Sequence, residues 1–95
     1  MRVAIIGLGM IGAGAARSLA RHGGYALIGY DVATTAFEPL TGVVERASSA
    51  AEAASAADVV LVAVFDDAQV RKVLAGEEGV LAAVELPRAV VILST

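Results

Sequence analysis

The residues with the clearest chemical potential are Gly7, Gly9 and Gly12, which have the spacing Gly-x-Gly-x-x-Gly. In this spacing the first glycine permits a sharp exit from a strand, and the second lets the backbone approach a phosphate. The third lets a helix pack closely on the sheet. The N–H groups and the positive dipole end of that helix would then hold a pyrophosphate. Because glycines also mark any tight turn, a turn without a ligand is the alternative.

Asp31 supplies a second group with a defined chemistry, about 20 residues beyond the glycine motif and at the end of an apolar run. A carboxylate at this place can accept hydrogen bonds from the hydroxyls of an adenosine ribose, whereas it would repel a ribose 2′-phosphate. Val32, Ala33 and Thr34 supply no arginine that could offset this repulsion. The sequence therefore predicts NAD in preference to NADP, with a simple turn residue as the alternative for Asp31.

Five apolar runs provide the framework that must position these groups. Their nearly continuous apolar character is typical of strands that are covered on both faces of a parallel sheet. The predicted strands are residues 3–6, 25–30, 43–44, 59–64 and 89–93. Strands that alternate with helices through right-handed crossovers predict an α/β fold, a three-layer, Rossmann-type doubly wound parallel sheet with the strand order 3-2-1-4-5.

The first predicted helix runs from Met10 to Arg21 and places Ile11, Ala15 and Leu19 on one face. Two later residue pairs have the spacing of a capping box, in which a hydroxyl and a carboxylate cap the start of a helix. These pairs are Thr35 with Glu38, where a proline and a glycine soon follow and limit the helix to about one turn, and Ser49 with Glu52.

A ligand of such a sheet binds beyond the carboxyl ends of the strands, at the switch point between the first and fourth strands. Phe65 and Asp66 follow the fourth predicted strand, and Thr95 ends the fifth. We therefore expect these three residues to border the ligand cleft. A core position is the alternative for Phe65, and a helix cap is the favoured alternative for Asp66.

Composition excludes several classes of protein. The chain has 95 residues, of which 58% are hydrophobic and 18% charged, so disorder is excluded and a packed core is expected. The net charge of −3 and the lack of a basic block indicate no nucleic-acid partner. Without cysteine, and with His22 as the single histidine, no metal site is predicted. The sequence shows no membrane span and no signal-peptide layout, so a soluble cytoplasmic protein is expected.

Four segments carry a family resemblance: GLGMIGAGAARSLARHG, GYDV, ADVVLVAVFDDAQVRKVLAGEEGVL and VVILST. Together they resemble the N-terminal NAD-binding domain of the β-hydroxyacid dehydrogenases, a family that includes 3-hydroxyisobutyrate dehydrogenase, tartronate semialdehyde reductase and 6-phosphogluconate dehydrogenase. The resemblance covers nearly the whole chain. With the motif glycines, the cofactor-binding residues that it implies are Gly7, Leu8, Gly9, Met10, Ile11, Gly12, Asp31, Val64, Phe65, Gln69 and Thr95.

The resemblance implies hydride transfer between NAD and a small β-hydroxy acid. Residues 1–95 would be the dinucleotide-binding domain of a longer dehydrogenase, because the family's substrate loop and catalytic lysine match nothing in this chain. Lys72 is expected to be a solvated surface residue, so no catalytic residue is predicted here. A non-catalytic nucleotide-binding or sensing module is the alternative.

The chain departs from the family pattern at three places. The family usually has Leu-Pro where this chain has Val64 and Phe65, and a methionine where Ile11 stands. These two departures concern contacts on the nicotinamide side of the cofactor. The third is a shortened segment from Asp31 to Gly42, which is expected to thin the wall around the adenine. If the strand at 89–93 is outermost, its open edge favours self-association, and a homo-oligomer is expected.

Overall fold

Within the residues that the computed structural model describes, 1–31, 34–63, 74 and 89–92, five parallel strands form one sheet. The strands are β1 (Arg2–Ile6), β2 (Ala26–Tyr30), β3 (Glu45–Arg46), β4 (Val59–Val62) and β5 (Ala89–Ile92). The helices are α1 (Met10–His22), a 3₁₀ helix (Thr34–Leu40) and α2 (Ala50–Ser55). The sheet order is β3-β2-β1-β4-β5, which confirms the predicted α/β fold and its strand order.

The central strand β1 has a buried side chain on each face of the sheet at alternating positions. Val3 and Ile5 belong to the apolar cluster that includes α1, whereas Ala4 and Ile6 belong to the cluster that includes α2. Such alternation is the period of a strand, and burial on both faces explains why the sequence of β1 is continuously apolar. The sheet is therefore the middle layer of the core.

Helix α1 packs on the sheet through smaller residues than the sequence predicted. Ala13 and Ala16 are buried, and Leu19 packs against the same cluster. The predicted face was partly wrong, because Ala15 is only half-buried and Ile11 is 40% exposed. Residues 11 and 13 lie about 200° apart around a helix axis, so the orientation that buries Ala13 turns Ile11 toward solvent.

The third strand lies two residues later than predicted. The sequence placed it at Val43 and Val44, but the N–H groups of both valines donate to the carbonyl oxygen of Leu40, at 2.8 and 3.1 Å. These bonds close the 3₁₀ helix, so neither valine can join the sheet ladder through its N–H group. The strand begins only at Glu45, and β3 pairs with β2 through Ile28 and Gly29.

Helix α2 begins as its capping residues predict. The hydroxyl of Ser49 accepts the N–H of Glu52 at 3.0 Å, which satisfies one of the first N–H groups of the helix. The carboxylate of Glu52 does not return to Ser49 but accepts the hydroxyl of Ser48. The 3₁₀ helix is short, as the sequence allowed, but it begins at Thr34, before the expected cap Thr35, and it includes Pro39. Its seven residues make about two turns rather than one.

The amino-terminal edge of the sheet is tied together by Arg2 and Asp58. The Arg2 N–H donates to the carboxylate of Asp58 at 3.0 Å, and the Asp58 N–H donates to the Arg2 carbonyl at 2.9 Å. At the outer edge, β5 pairs with β4, and the side chains of Val90, Val91 and Ile92 are exposed. In the described part of the chain, no helix has the length and apolar character required to cross a membrane.

Candidate functional site

The glycine motif forms the turn between β1 and α1, at the carboxyl edge of the sheet. Gly7 has a φ of 94°, a left-handed conformation that favours glycine, and its N–H donates to the Tyr30 carbonyl at 2.8 Å. The turn therefore begins at the end of β1 and is hydrogen-bonded to the end of β2. This geometry agrees with the sharp strand exit that the first glycine was expected to permit.

Gly12 lies so close to Gly7 that a side chain would not fit. A Cβ atom on Gly12 would lie 1.8 Å from the Gly7 carbonyl oxygen and 3.4 Å from the Cβ atom of Ala63, just beyond β4. The third glycine was expected to allow close packing of the helix on the sheet. The atoms that a Cβ atom on Gly12 would meet first belong instead to Gly7, in the turn itself. The two glycines thus allow the helix to begin directly over the turn.

Gly9 stands at the exposed tip of the turn, between these two buried glycines. Its φ of −71° and ψ of −160° are accessible to any residue, so conformation does not require glycine here. It is the N-cap of α1, and as a glycine it has no side chain with which to cap the helix. The absence of a side chain at Gly9 leaves the helix terminus open to an approaching group.

The first turn of α1 carries the features of an anion site. The first bond of the helical ladder joins the Ala13 N–H to the Gly9 carbonyl at 2.8 Å, so the preceding N–H groups have no acceptor within the helix. No acidic residue of α1 occupies its first turn, so the helix's own side chains do not offset the positive end of the dipole. The exposed side chain of Ile11 lies beside this terminus.

Leu8 connects the glycine turn both to the core and to Asp31. Its side chain is buried, and its methyl groups would lie 3.3 Å from a Cβ atom on Gly29 of β2. Its N–H donates to Oδ2 of Asp31 at 2.7 Å. A contact of Leu8 with a cofactor would therefore involve its backbone, because the side chain belongs to the core.

Asp31 lies immediately after β2, the strand that pairs with β1. The parallel register brings the ends of these strands together, and it places the carboxylate against the glycine turn. An ionised carboxylate has about four acceptor sites, so it can serve Leu8 and other donors together. The structure therefore places the Asp31 carboxylate beside the glycine motif, two features that the sequence identified separately.

A cavity of about 430 Å³ opens beside Asp31, between the carboxyl ends of β2 and β3 and the start of α2. Its lining includes the positive side chain of Arg46, whose Cζ atom lies 4.9 Å from the centroid of the Phe37 ring. That distance is within the range of a cation–π contact. The described residues that line the cavity are Tyr30, Asp31, Arg46, Ala47, Ser48 and Glu52.

Sequence reasoning missed Arg46. Residues 32–34, which directly follow Asp31 in the chain, include no arginine, whereas Arg46 comes from the neighbouring strand β3. The predicted strand order already placed β3 beside β2, but the two-residue error in β3 hid the fact that Arg46 ends that strand. With the correct bounds of β3, the strand order would have placed Arg46 near Asp31.

The other predicted site residues differ in what the structure describes of them. Met10 begins α1, and its backbone lies at the open helix terminus. Val64, Phe65, Asp66, Gln69, Lys72 and Thr95 lie outside the described residues. In the described ranges, no three histidine, cysteine, aspartate or glutamate side chains form a group that could hold a metal ion.

Comparison with known proteins identifies a matching family. Residues 2–95 match the family described as the NAD-binding domain of 6-phosphogluconate dehydrogenase. Among the curated proteins, none matches the chain. A crystal structure of 3-hydroxyisobutyrate dehydrogenase from Salmonella typhimurium is 36% identical, with a TM-score of 0.82 over 100% of this chain and 33% of that chain.

Two structures of an imine reductase from Myxococcus stipitatus share the fold. The complex with NADP⁺ is 20% identical, with a TM-score of 0.85 over 99% of this chain and 32% of that one. The V8 variant in complex with NAD⁺ is 22% identical, with a TM-score of 0.74 over 81% of this chain and 26% of that one. The chain spans at most about a third of the length of these structures.

The family match covers almost the entire chain and agrees with the sheet order and the glycine turn. It agrees with the resemblance that the sequence segments indicated. The chain therefore belongs to the family of the NAD-binding domain of 6-phosphogluconate dehydrogenase, a family of nicotinamide dinucleotide-binding domains of dehydrogenases and reductases.

Proposed function

We propose that this chain is the NAD-binding domain of an oxidoreductase that transfers a hydride between NAD and a small β-hydroxy acid. The observation that carries the proposal is the bond between Asp31 and the Leu8 N–H, at 2.7 Å. It fixes an acceptor for ribose hydroxyls beside a glycine turn and an open helix terminus. These are the groups that the adenosine and pyrophosphate of a dinucleotide require.

In this proposal each part of the site has a separate task. The N–H groups at the start of α1 bind the pyrophosphate, and the bare backbone of Gly9 allows it to come close. Asp31 accepts hydrogen bonds from the adenosine ribose, and Ile11 offers an apolar surface beside the turn. The bound nicotinamide supplies the hydride chemistry, whereas the protein supplies binding and orientation.

The proposed preference for NAD rests on the charge of Asp31. At a separation of about 4 Å, two like unit charges repel by about 1 kcal/mol in water and by about 4 kcal/mol at an effective dielectric constant of 20. This range corresponds to about five-fold to several hundred-fold discrimination against a 2′-phosphate.

The proposed substrate class rests on the 36% identity to 3-hydroxyisobutyrate dehydrogenase. No residue of this chain is proposed as the acid or base of the reaction, and the expected domain assignment gives that role to residues outside 1–95. A homo-oligomeric state also remains a prediction, which sedimentation of the full-length protein would measure.

Calorimetric titration of the full-length protein with NAD⁺ tests the binding part of the proposal. Gly9→Ala is the informative variant, because its backbone conformation suits alanine while the added methyl group occupies the approach to the helix terminus. We expect an unchanged melting temperature and a clear loss of NAD⁺ affinity. Wild-type protein that binds no NAD⁺, or a Gly9→Ala variant that binds it equally well, contradicts the proposed site.

Substrate turnover by the full-length protein tests the second part of the proposal, which is hydride transfer to NAD. Absorbance of NADH is followed with a panel of small β-hydroxy acids, and at least one is expected to be oxidised. Binding of NAD⁺ without turnover of any member of the panel would instead favour the non-catalytic sensing module.

A further inference from the structure

Arg46 lies at the end of β3, one strand away from the strand that carries Asp31. In the register of the sheet it pairs with Gly29, two positions before Asp31, and its side chain is exposed. Arg46 and Asp31 both line the cavity of about 430 Å³. The cavity therefore combines the proposed ribose acceptor with a positive charge that comes from a distant part of the chain.

The guanidinium of Arg46 is held over an aromatic ring. Its Cζ atom lies 4.9 Å from the centroid of Phe37, and Phe37 itself packs against the core cluster that contains Leu8. A guanidinium carries five N–H donors in a planar fork, and a cation–π contact uses its charge rather than these donors. Arg46 can therefore still bind a phosphate through two parallel hydrogen bonds.

The charges around the cavity make Arg46 the group able to attract a phosphate. Asp31 and Glu52 contribute two carboxylates to the lining, and the Glu52 carboxylate accepts the hydroxyl of Ser48. Among the described residues of the lining, Arg46 supplies the one cation. Without it, the charged side chains of the described lining would be the carboxylates of Asp31 and Glu52, which both repel a 2′-phosphate.

We propose that Arg46 binds the 2′-phosphate of NADP and so limits the preference for NAD that Asp31 sets, an inference that rests on the proposed function. Asp31 disfavours the phosphate from the end of β2, and Arg46 offsets part of that repulsion from the end of β3. The site then accepts both dinucleotides, with NAD bound more tightly. Cofactor preference is the balance of two opposite charges rather than the property of Asp31 alone.

The test is calorimetric titration of the full-length protein with NAD⁺ and with NADP⁺, for wild type and Arg46→Met. Methionine keeps an unbranched apolar chain beside Phe37 but carries neither charge nor donors. Loss of a hydrogen-bonded charge pair predicts a Kd for NADP⁺ that is about ten- to a hundred-fold higher, with the Kd for NAD⁺ nearly unchanged. Arg46→Lys is expected to recover part of the NADP⁺ affinity, because it restores the charge without the planar donors.

Arg21→Met is the matched control for net charge. Arg21 is an exposed residue in the last turn of α1, at the end of the helix away from the glycine turn, and its replacement should leave the NADP⁺ to NAD⁺ ratio unchanged. Unchanged NADP⁺ affinity in Arg46→Met, equal weakening of both cofactors, or a wild type that binds only NAD⁺ overturns the inference while the proposed function stands. A wild type that binds neither dinucleotide overturns both.

Discussion

A Cβ atom on Gly12 would lie 1.8 Å from the carbonyl oxygen of Gly7, so the first and third glycines of the motif occupy adjoining space. No change of side-chain rotamer can relieve such a contact, because both groups belong to the backbone or are fixed to it. The start of α1 and the end of β1 can have their present arrangement only while residue 12 lacks a side chain.

Gly12→Ala is therefore expected to lower stability and dinucleotide affinity together. Moving the helix away from the turn costs packing, and overpacking of this kind typically costs about 1–3 kcal/mol. The matched control is Gly14→Ala in the same helix, where no described atom lies within 4 Å of the added methyl group. That control should gain about 0.5–1 kcal/mol, since alanine is the better helix former.

Thermal unfolding and calorimetric titration with NAD⁺ measure both variants. The explanation for Gly12 is wrong if its alanine variant is as stable as wild type, or if Gly14→Ala is equally damaging.

Asp31→Asn separates the charge of this residue from its role in holding the turn. The amide oxygen of asparagine can still accept the Leu8 N–H, but it no longer repels a 2′-phosphate. The ratio of the NADP⁺ Kd to the NAD⁺ Kd should therefore fall, by about five-fold up to several hundred-fold if the charges are about 4 Å apart.

Asp58→Asn provides the control for this change. Asp58 also accepts a backbone N–H, that of Arg2 at 3.0 Å, but at the opposite edge of the sheet. Replacement of Asp58 should leave the ratio of the NADP⁺ Kd to the NAD⁺ Kd unchanged. An equal shift in both variants would mean that net charge, rather than the position of Asp31, determines the preference.

Ser49→Ala is expected to destabilise the fold through loss of the cap on α2. The Ser49 hydroxyl accepts the N–H of Glu52 at 3.0 Å, and removal of such a cap costs about 0.5–2 kcal/mol. Ser48→Ala is the neighbouring control, because the exposed Ser48 hydroxyl donates to the side chain of Glu52 and caps no backbone N–H among the described residues. Urea unfolding should show a larger loss for Ser49→Ala, and equal losses would argue against the cap.

Much of the architecture could be predicted because it follows from local pattern. Continuous apolar runs identify strands that are buried on both faces, and the alternation of strands and helices leaves few topologies. The glycine motif and Asp31 could be placed together for the same reason, since neighbouring parallel strands end at one edge of the sheet. Ser49 and Glu52 marked the start of α2 through a bond between near neighbours.

The failures concern choices that the pattern of apolar residues does not determine. Val43 and Val44 favour a strand by composition, but their N–H groups bond to Leu40. The periodicity of α1 gave weight to the bulk of Ile11, whereas the sheet accepts the smaller Ala13. The first error arose because apolar character does not show where a backbone N–H group bonds. The second arose because the sequence of a helix does not show which of its side chains the sheet can accommodate.

The absent side chain of Gly12 also determines how this site responds to mutagenesis. Alanine scanning normally measures what a residue contributes by removing its side chain, but at a motif glycine the scan adds atoms. A loss of binding at such a position reports exclusion of volume and not the loss of a contact. The proposed pyrophosphate site consists of backbone N–H groups. A scan that only deletes side chains would therefore not detect the groups that bind.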